Sequence, residues 1–256
     1  MCLSLYDWAL FRQTKGAVKL HVKLNHAGYL SAFAVTTYAA IHDVHVAKSI
    51  PVDRGDVLVM DRGYNSFEYF KSLDNKGVYF VVRLKVNAFW QVVKHNDISR
   101  YKHIRYDRIV KPETLYAKER CPDRLRIIRS YDPATKSTVT LITNNFTWSA
   151  RTIALIYKER WQIELFFKTL KQQLKVKSFV GTSKNALLSQ LWIALIAYLL
   201  LSYLKFKSKF KWSIYTLCAI LPTNLFARRN LWDWLNAPFH QRSNKPPDTQ
   251  LTLGFG

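Results

Sequence analysis

An α/β fold built on a mixed sheet is what the sequence predicts. Three observations carry that reading: two alternating segments separated by a turn, short apolar runs that read as buried strands, and a late helix whose charged and apolar residues fall on separate faces. Residues 17–24 (AVKLHVKL) alternate apolar and polar positions, as a strand does when one face meets a core. Residues 29–37 repeat the signal, and residues 25–28 (NHAG) supply a hairpin turn. Residues 43–50 read as a short helix. Residues 56–60 (DVLVM) are a short buried strand, Asp61-Arg62-Gly63-Tyr64 turns the chain with Gly63 permitting a tight turn, and residues 66–73 form a helix. Residues 77–83 (GVYFVVR) are a further buried strand.

Beyond residue 84 the pattern loosens into short β-like pieces, clearest at 125–131 and broken by Pro112, Pro122 and Pro133. Residues 139–143 close this β-rich stretch, and Thr147 or Ser149 caps the helix that follows. The chain thus divides into residues 1–83 as the first part of the core, 84–143 as an insertion, 144–235 as the closing helices, and 236–256 as a mobile tail holding Pro238, Pro246 and Pro247. The order of strands and helices is that of a ribonuclease-H-like α/β domain.

Thirty-nine Lys and Arg against 17 Asp and Glu leave a formal charge of +22. That field suits a polyanion, nucleic acid or an anionic membrane, and fixes the partner class without fixing an activity. Cys2, Cys121 and Cys218 form no CxxC pair and read as reduced thiols of a cytosolic protein. Residues 187–204 (LLSQLWIALIAYLLLSYL) have the length of a membrane span, but the uninterrupted apolar part is only about fourteen residues, so a buried core helix is expected and no membrane partner. His42 and His45 flank Asp43 at metal-ligand spacing with no further ligand in view, and a solvated helix start is the better reading. No serine stands in a nucleophile pattern with His and an acid.

The most specific stretch is YKERWQIELFFKTLK, residues 157–171. On one continuous helix, Tyr157, Arg160, Glu164 and Lys171 would fall at roughly 0°, 300°, 340° and 320°, a single face with one acid between two cations and a phenol. Ile156, Ile163, Phe166, Phe167, Leu170 and Leu174 would form a separate buried stripe. An ordinary surface helix with i,i+4 charge support accounts for any one of these residues alone. Together they suit a hard cation meeting a phosphodiester: the acid ligates the ion and the bases hold phosphate oxygens.

These residues resemble the signature helix of the DDE-class insertion-sequence transposases, in the branch named for its Tyr-Arg-Glu-Lys motif. The DRGY at 61–64, KGAVKLH at 15–21, LITNNF at 141–146 and SFVGTSKNA at 178–186 match as well, so the resemblance covers residues 2 to about 215. It implies metal-dependent DNA cleavage and strand transfer, with two Mg²⁺ or Mn²⁺ ions in an intact site. Glu164 would be the third catalytic acid and Asp61, ending a buried strand, the second; both would ligate metal. Tyr157, Arg160 and Lys171 would position phosphates, and Arg62, Tyr64 and Lys168 would flank the DNA. Trp161 is placed either beside the DNA or in the core. The implied partners are double-stranded DNA, as transposon ends and target, and a second copy in a synaptic homodimer, within the cytoplasm and its nucleoid.

The family carries its first acid a few residues before the CLSL found here at residues 2–5. The expectation is therefore a truncated copy without that acid and its central strand, with Asp7 a poor substitute. The strands at 17–24 and 56–60 would then face each other across roughly 10 Å, two strand spacings. Such a chain would be poorly soluble and inactive by itself, and the alternative function is a catalytically dead DNA-binding remnant.

Overall fold

The computed structural model describes residues 10–11, 15–16, 18–26, 28–38, 41–85, 90–174, 176, 183–224, 226–227 and 230–239. Residues 2–5, Asp7, residues 178–182 and residues 240–256 lie outside that set. The elements run β1 (Leu10–Phe11), β2 (Lys15–Gly16), β3 (Val18–Asn25), β4 (Leu30–Tyr38), α1 (Asp43–Ala47), β5 (Val57–Met60), α2 (Phe67–Asn75), β6 (Tyr79–Arg83), β7 (Trp90–His95), β8 (Ile104–Pro112), α3 (Leu115–Arg120), β9 (Leu125–Asp132), β10 (Ser137–Thr143), α4 (Ala150–Lys158), α5 (Trp161–Gln172), α6 (Lys184–Lys207), α7 (Ile214–Asn224) and α8 (Leu231–Asn236). The fold is α/β, as the sequence predicts.

Its centre is a six-stranded mixed sheet in the order β5-β6-β10-β9-β8-β7. β5 and β6 are parallel, joined over the sheet by α2, and the remaining pairs are antiparallel. The strands from residue 90 to 143 are therefore continuous with those of residues 57–83 in one sheet. Period-two alternation buries both faces. Phe80, Val82, Ile127 and Ile142 pack with Phe70 and Leu73 of α2, Phe70 stacking on Phe80 at 4.7 Å. Val81, Ile128 and Leu141 pack instead with Ala150 and Ile153 of α4. Ser66 caps α2 by accepting from the Tyr69 amide. Ser149 caps α4, while Thr147 is held by the Asn145 side chain.

The β3–β4 hairpin forms its own two-stranded sheet. Val18, Leu20, Val22 and Leu24, the apolar alternates of β3, pack over α5 and α6 with Phe166, Leu170, Leu191 and Tyr198. Truncating Phe166, which is 1% exposed and meets Tyr198 edge-on at 4.8 Å, would cost about 3–5 kcal/mol.

The sequence reading needs correction at three places. Residues 157–171 do not form one helix: α4 ends at Lys158 and α5 begins at Trp161. The Glu159 and Arg160 amides bond to Ile156 and Tyr157 carbonyls three residues back, as do Gln162 to Glu159 and Ile163 to Arg160. This tightened turn breaks the common face, so Ile156 packs with α4 against the sheet whereas Ile163, Phe166 and Leu170 pack under the hairpin. Gly63 does not adopt a positive φ, and a Cβ there would sit 3.3 Å from Asp43 Oδ2, a contact that a shift of a few tenths of an ångström in that carboxylate would relieve. Helix α6 is buried on one side only. Of the two placements the sequence left open for Trp161, the exposed one is found.

Candidate functional site: an acidic cleft beside the helix break

Between the hairpin and the edge of the main sheet lies a cavity of about 390 Å³. Val22, Lys23 and Leu24 line one wall, residues 57–61 the other, and Glu159, Arg160, Ile163 and Glu164 the floor. β3 and β5 pair with β4 and β6 respectively, and not with each other, among the described residues. Two lysines of β3 span the approach. Lys23 Nζ reaches Asp56 Oδ2 at 3.2 Å and the Pro51 carbonyl at 2.8 Å, and Lys19 Nζ reaches Asp43 Oδ1 at 3.1 Å.

Asp61 enters this cleft as the first residue after β5. Its Oδ1 accepts from the Arg62 amide at 2.7 Å and so caps the short 3₁₀ turn Arg62–Tyr64. The second oxygen has lone pairs to spare. Tyr64 lines the same cleft. Burial raises its hydroxyl pKa, with Asp43 and Asp61 adding to the rise.

Glu164 stands in the first turn of α5, where a carboxylate meets the positive end of the helix dipole. Its Oε1 accepts from Arg160 Nη1 at 3.0 Å. Arg160 sits at the break itself and lines the cleft with both acids. Its Nε is buried without a hydrogen-bond partner, and its guanidinium stands 5.7 Å from the Tyr157 ring centre. Burial acts to lower the Arg160 pKa, but the Glu164 hydrogen bond, Tyr157 and Asp61 outweigh it and the net shift is upward. The Tyr157 hydroxyl is raised, by burial first; Asp61 adds to the rise, while Arg160 and Arg83 oppose it.

The break therefore brings Asp61, Arg160 and Glu164 to one cleft, with Tyr64 on its wall and Tyr157 behind Arg160. Arg62 turns an exposed side chain outward from the same turn, and Lys168 and Lys171 stand exposed one and two turns further along α5, beyond the cleft lining. Reasoning from sequence missed Lys23 and three further contributors. Glu159 lines the cleft and accepts from Tyr29 Oη at 2.5 Å. Tyr29 in turn meets His26 edge-on at 5.4 Å. The lone signal was the NHAGYL turn, whose Gly28 and Tyr29 both adopt positive φ.

Two carboxylates with free oxygens, beside an arginine at the polar floor of an otherwise largely apolar cleft, match the donor preference of a small hard cation, which takes one or two carboxylates and completes its shell from water and phosphate. No three His, Cys, Asp or Glu side chains group to hold a metal among the described residues. This includes His42, Asp43 and His45.

The family described as transposase DDE domain has a model that matches residues 8–200. The chain belongs to the DDE transposase family. A protein described as a transposase in Sinorhizobium fredii is 29% identical over 89% of this chain and 65% of its own length. An insertion-sequence transposase of Geobacillus stearothermophilus is 33% identical over 79% of this chain and 53% of its own. One from Synechocystis is 29% identical over 58% and 41%. The chain thus spans from under half to about two thirds of the length of these transposase relatives. Divalent metal use and DNA partners are general properties of the family.

Proposed function

We propose that this chain is a catalytic domain of a DDE transposase, cleaving and joining strands of double-stranded DNA at transposon ends and target. The observation that carries the reading is the meeting of Asp61, Arg160 and Glu164 in one cleft, from a strand end and a helix start far apart in sequence, on a chain of charge +22. Bound Mg²⁺ or Mn²⁺, two ions in a complete site, would supply activation of water or a 3′-hydroxyl and stabilisation of the leaving oxygen. Asp61 and Glu164 would hold the metal. Arg160 orients Glu164 through their hydrogen bond and, lining the cleft, offers its guanidinium to a phosphate oxygen. Tyr157 supports the Arg160 guanidinium from behind. Lys168, Lys171 and Arg62 extend the cationic track along the DNA backbone, and Lys23 carries it to the opposite wall. Pairing of two copies on two DNA ends, in the cytoplasm and on the nucleoid, belongs to the same reading.

A second reading, a DNA-binding remnant without chemistry, is favoured by one observation: although Glu159 lines the same cleft as the two acids, no three acidic, His or Cys side chains group to hold a metal among the described residues. Nicking of supercoiled plasmid with Mg²⁺ or Mn²⁺ separates the two. Metal-dependent nicking that disappears in both Asp61→Asn and Glu164→Gln supports the enzyme. Salt-sensitive DNA binding with no nicking supports the remnant.

A further inference from the structure

Helix α6 is apolar around its whole circumference, yet the fold covers only half of it. Leu187, Leu191, Leu195 and Tyr198 face the core over the hairpin and α5. On the opposite side Trp192, Ile196, Leu199, Tyr203 and Phe206 are open to solvent. Their spacing of four, three, four and three residues is the a/d repeat of a helix seam. Ile193 and Leu200, 65% and 60% exposed, widen the stripe. From the fractional exposures the stripe presents on the order of 900 Å² of apolar surface, above the largest patch usual on a soluble monomer and close to the share each partner buries in a standard interface.

We propose that this stripe is the contact between two copies of the chain, packed through antiparallel α6 helices about a two-fold axis near Leu199. Self-pairing is favoured because the seam carries no charge between Trp192 and Phe206, so nothing in it calls for a complementary partner. The antiparallel sense follows from the lysines. Lys205, Lys207 and Lys209 gather at one end of the seam, Lys207 on the stripe's own face, and a parallel pair would bring the two clusters together. In the antiparallel pair Trp192 of one copy meets Phe206 of the other, and Ile196 meets Tyr203, over about 21 Å of helix. A lipid bilayer is the poorer occupant, since the buried face of α6 is a wall of the domain core and entry into lipid would strip it. The surface deepens the pairing of two copies in the proposed function and rests on that reading alone, not on the chemistry of the acidic cleft.

Sedimentation equilibrium of the full chain tests it, with salt as a second variable. Each copy carries +22, so association should tighten between 50 and 500 mM NaCl, the reverse of DNA binding. The expected result is a dimer that Ile196→Lys converts to monomer, with at least a tenfold rise in dissociation constant and an unchanged circular dichroism spectrum. Leu199→Cys adds a test that does not depend on loss of packing: mild oxidation should yield a dimer whose linkage maps to 199–199 by mass spectrometry. A monomer at 500 mM NaCl overturns the proposal. So does a dimer linked elsewhere, or flotation with anionic phosphatidylserine vesicles in place of dimerisation.

Discussion

Arg160 Nη1 donates to Glu164 Oε1 at 3.0 Å across the first turn of α5, and the arginine side chain is 19% exposed where the glutamate is 51% exposed. The cation is the anchored partner and the acid the accessible one. That asymmetry suits a carboxylate that must keep a fixed direction while remaining open to a ligand.

Replacing Arg160 should therefore act twice. Arg160→Ala releases Glu164 and removes one phosphate contact, so metal-dependent nicking should fall by two orders of magnitude or more while the slope of log K on log salt flattens by about one unit. Adding Lys171→Ala should flatten it by up to about one further unit, with affinity falling alike for all sequences. Fluorescence anisotropy on labelled duplexes across a salt series reads both, and an unchanged slope would show that neither residue meets phosphate.

Asp61 caps a turn as well as facing the cleft, and the two roles separate by substitution. Asp61→Asn keeps an acceptor for the Arg62 amide and should leave thermal stability within about 0.5 kcal/mol. Asp61→Ala should cost about 1 kcal/mol. Both should abolish metal-dependent nicking. Retention of activity by Asp61→Asn would remove this residue from the metal site.

Away from the cleft, Arg126 and Asp107 form a buried pair, 6% and 3% exposed, closed by two bonds of 2.8 and 2.6 Å, with a further bond from Arg126 Nη1 to the Trp148 carbonyl at 2.6 Å. This pair ties β8 and β9 to the start of α4. Arg126→Met leaves the buried Asp107 carboxylate without its cation, with the Asn96 amide still donating to it at 2.9 Å, and should cost about 3–5 kcal/mol in urea denaturation. The double variant with Asp107→Leu should recover most of the loss. A single variant as stable as the parent would show that water reaches this pair.

His21 gives the fold a pH dependence. It is 6% exposed, and its Nε2 lies 2.8 Å from Thr37 Oγ1. Burial lowers its pKa below 6.5, with Asp43 opposing and Lys19 assisting. The unfolded chain then binds the proton more readily than the folded one. The stability of neutral His21 is whole above about pH 6.5 and is lost as pH falls through the lowered folded value. Urea midpoints measured at pH 8 and pH 5 should drop more in the parent than in His21→Asn. Equal drops would place the dependence on other groups.

Much of this arrangement was legible in the chain. The hairpin, the strand that ends at Asp61 and the apolar alternation of β3 follow from period-two patterning, and the Arg160–Glu164 pair from i,i+4 spacing. The break between α4 and α5 was not legible, because Lys158, Glu159 and Arg160 are ordinary helix formers with no proline or glycine among them. It arises from two separate cores: Ile153 and Ile156 are drawn to the sheet, Phe166 and Leu170 to the hairpin and α6. Nor could local pattern show that Tyr29 and Lys23 approach the cleft, since both arrive from across the fold.

The Tyr29–Glu159 hydrogen bond closes a loop of 130 residues. Closing so long a loop in an unfolded chain costs about 4 kcal/mol in entropy beyond a constant. Most of the intervening residues lie between the first and last strands of the six-stranded sheet, whose prior folding would shorten the search. The cleft is therefore expected to assemble last, after the sheet and only once α5 has left the ribosome. Pulse-labelled hydrogen exchange should find β9 and β10 amides protected before those of β3, and a nascent chain ending before residue 159 would have a folded sheet but no grip on DNA at this site.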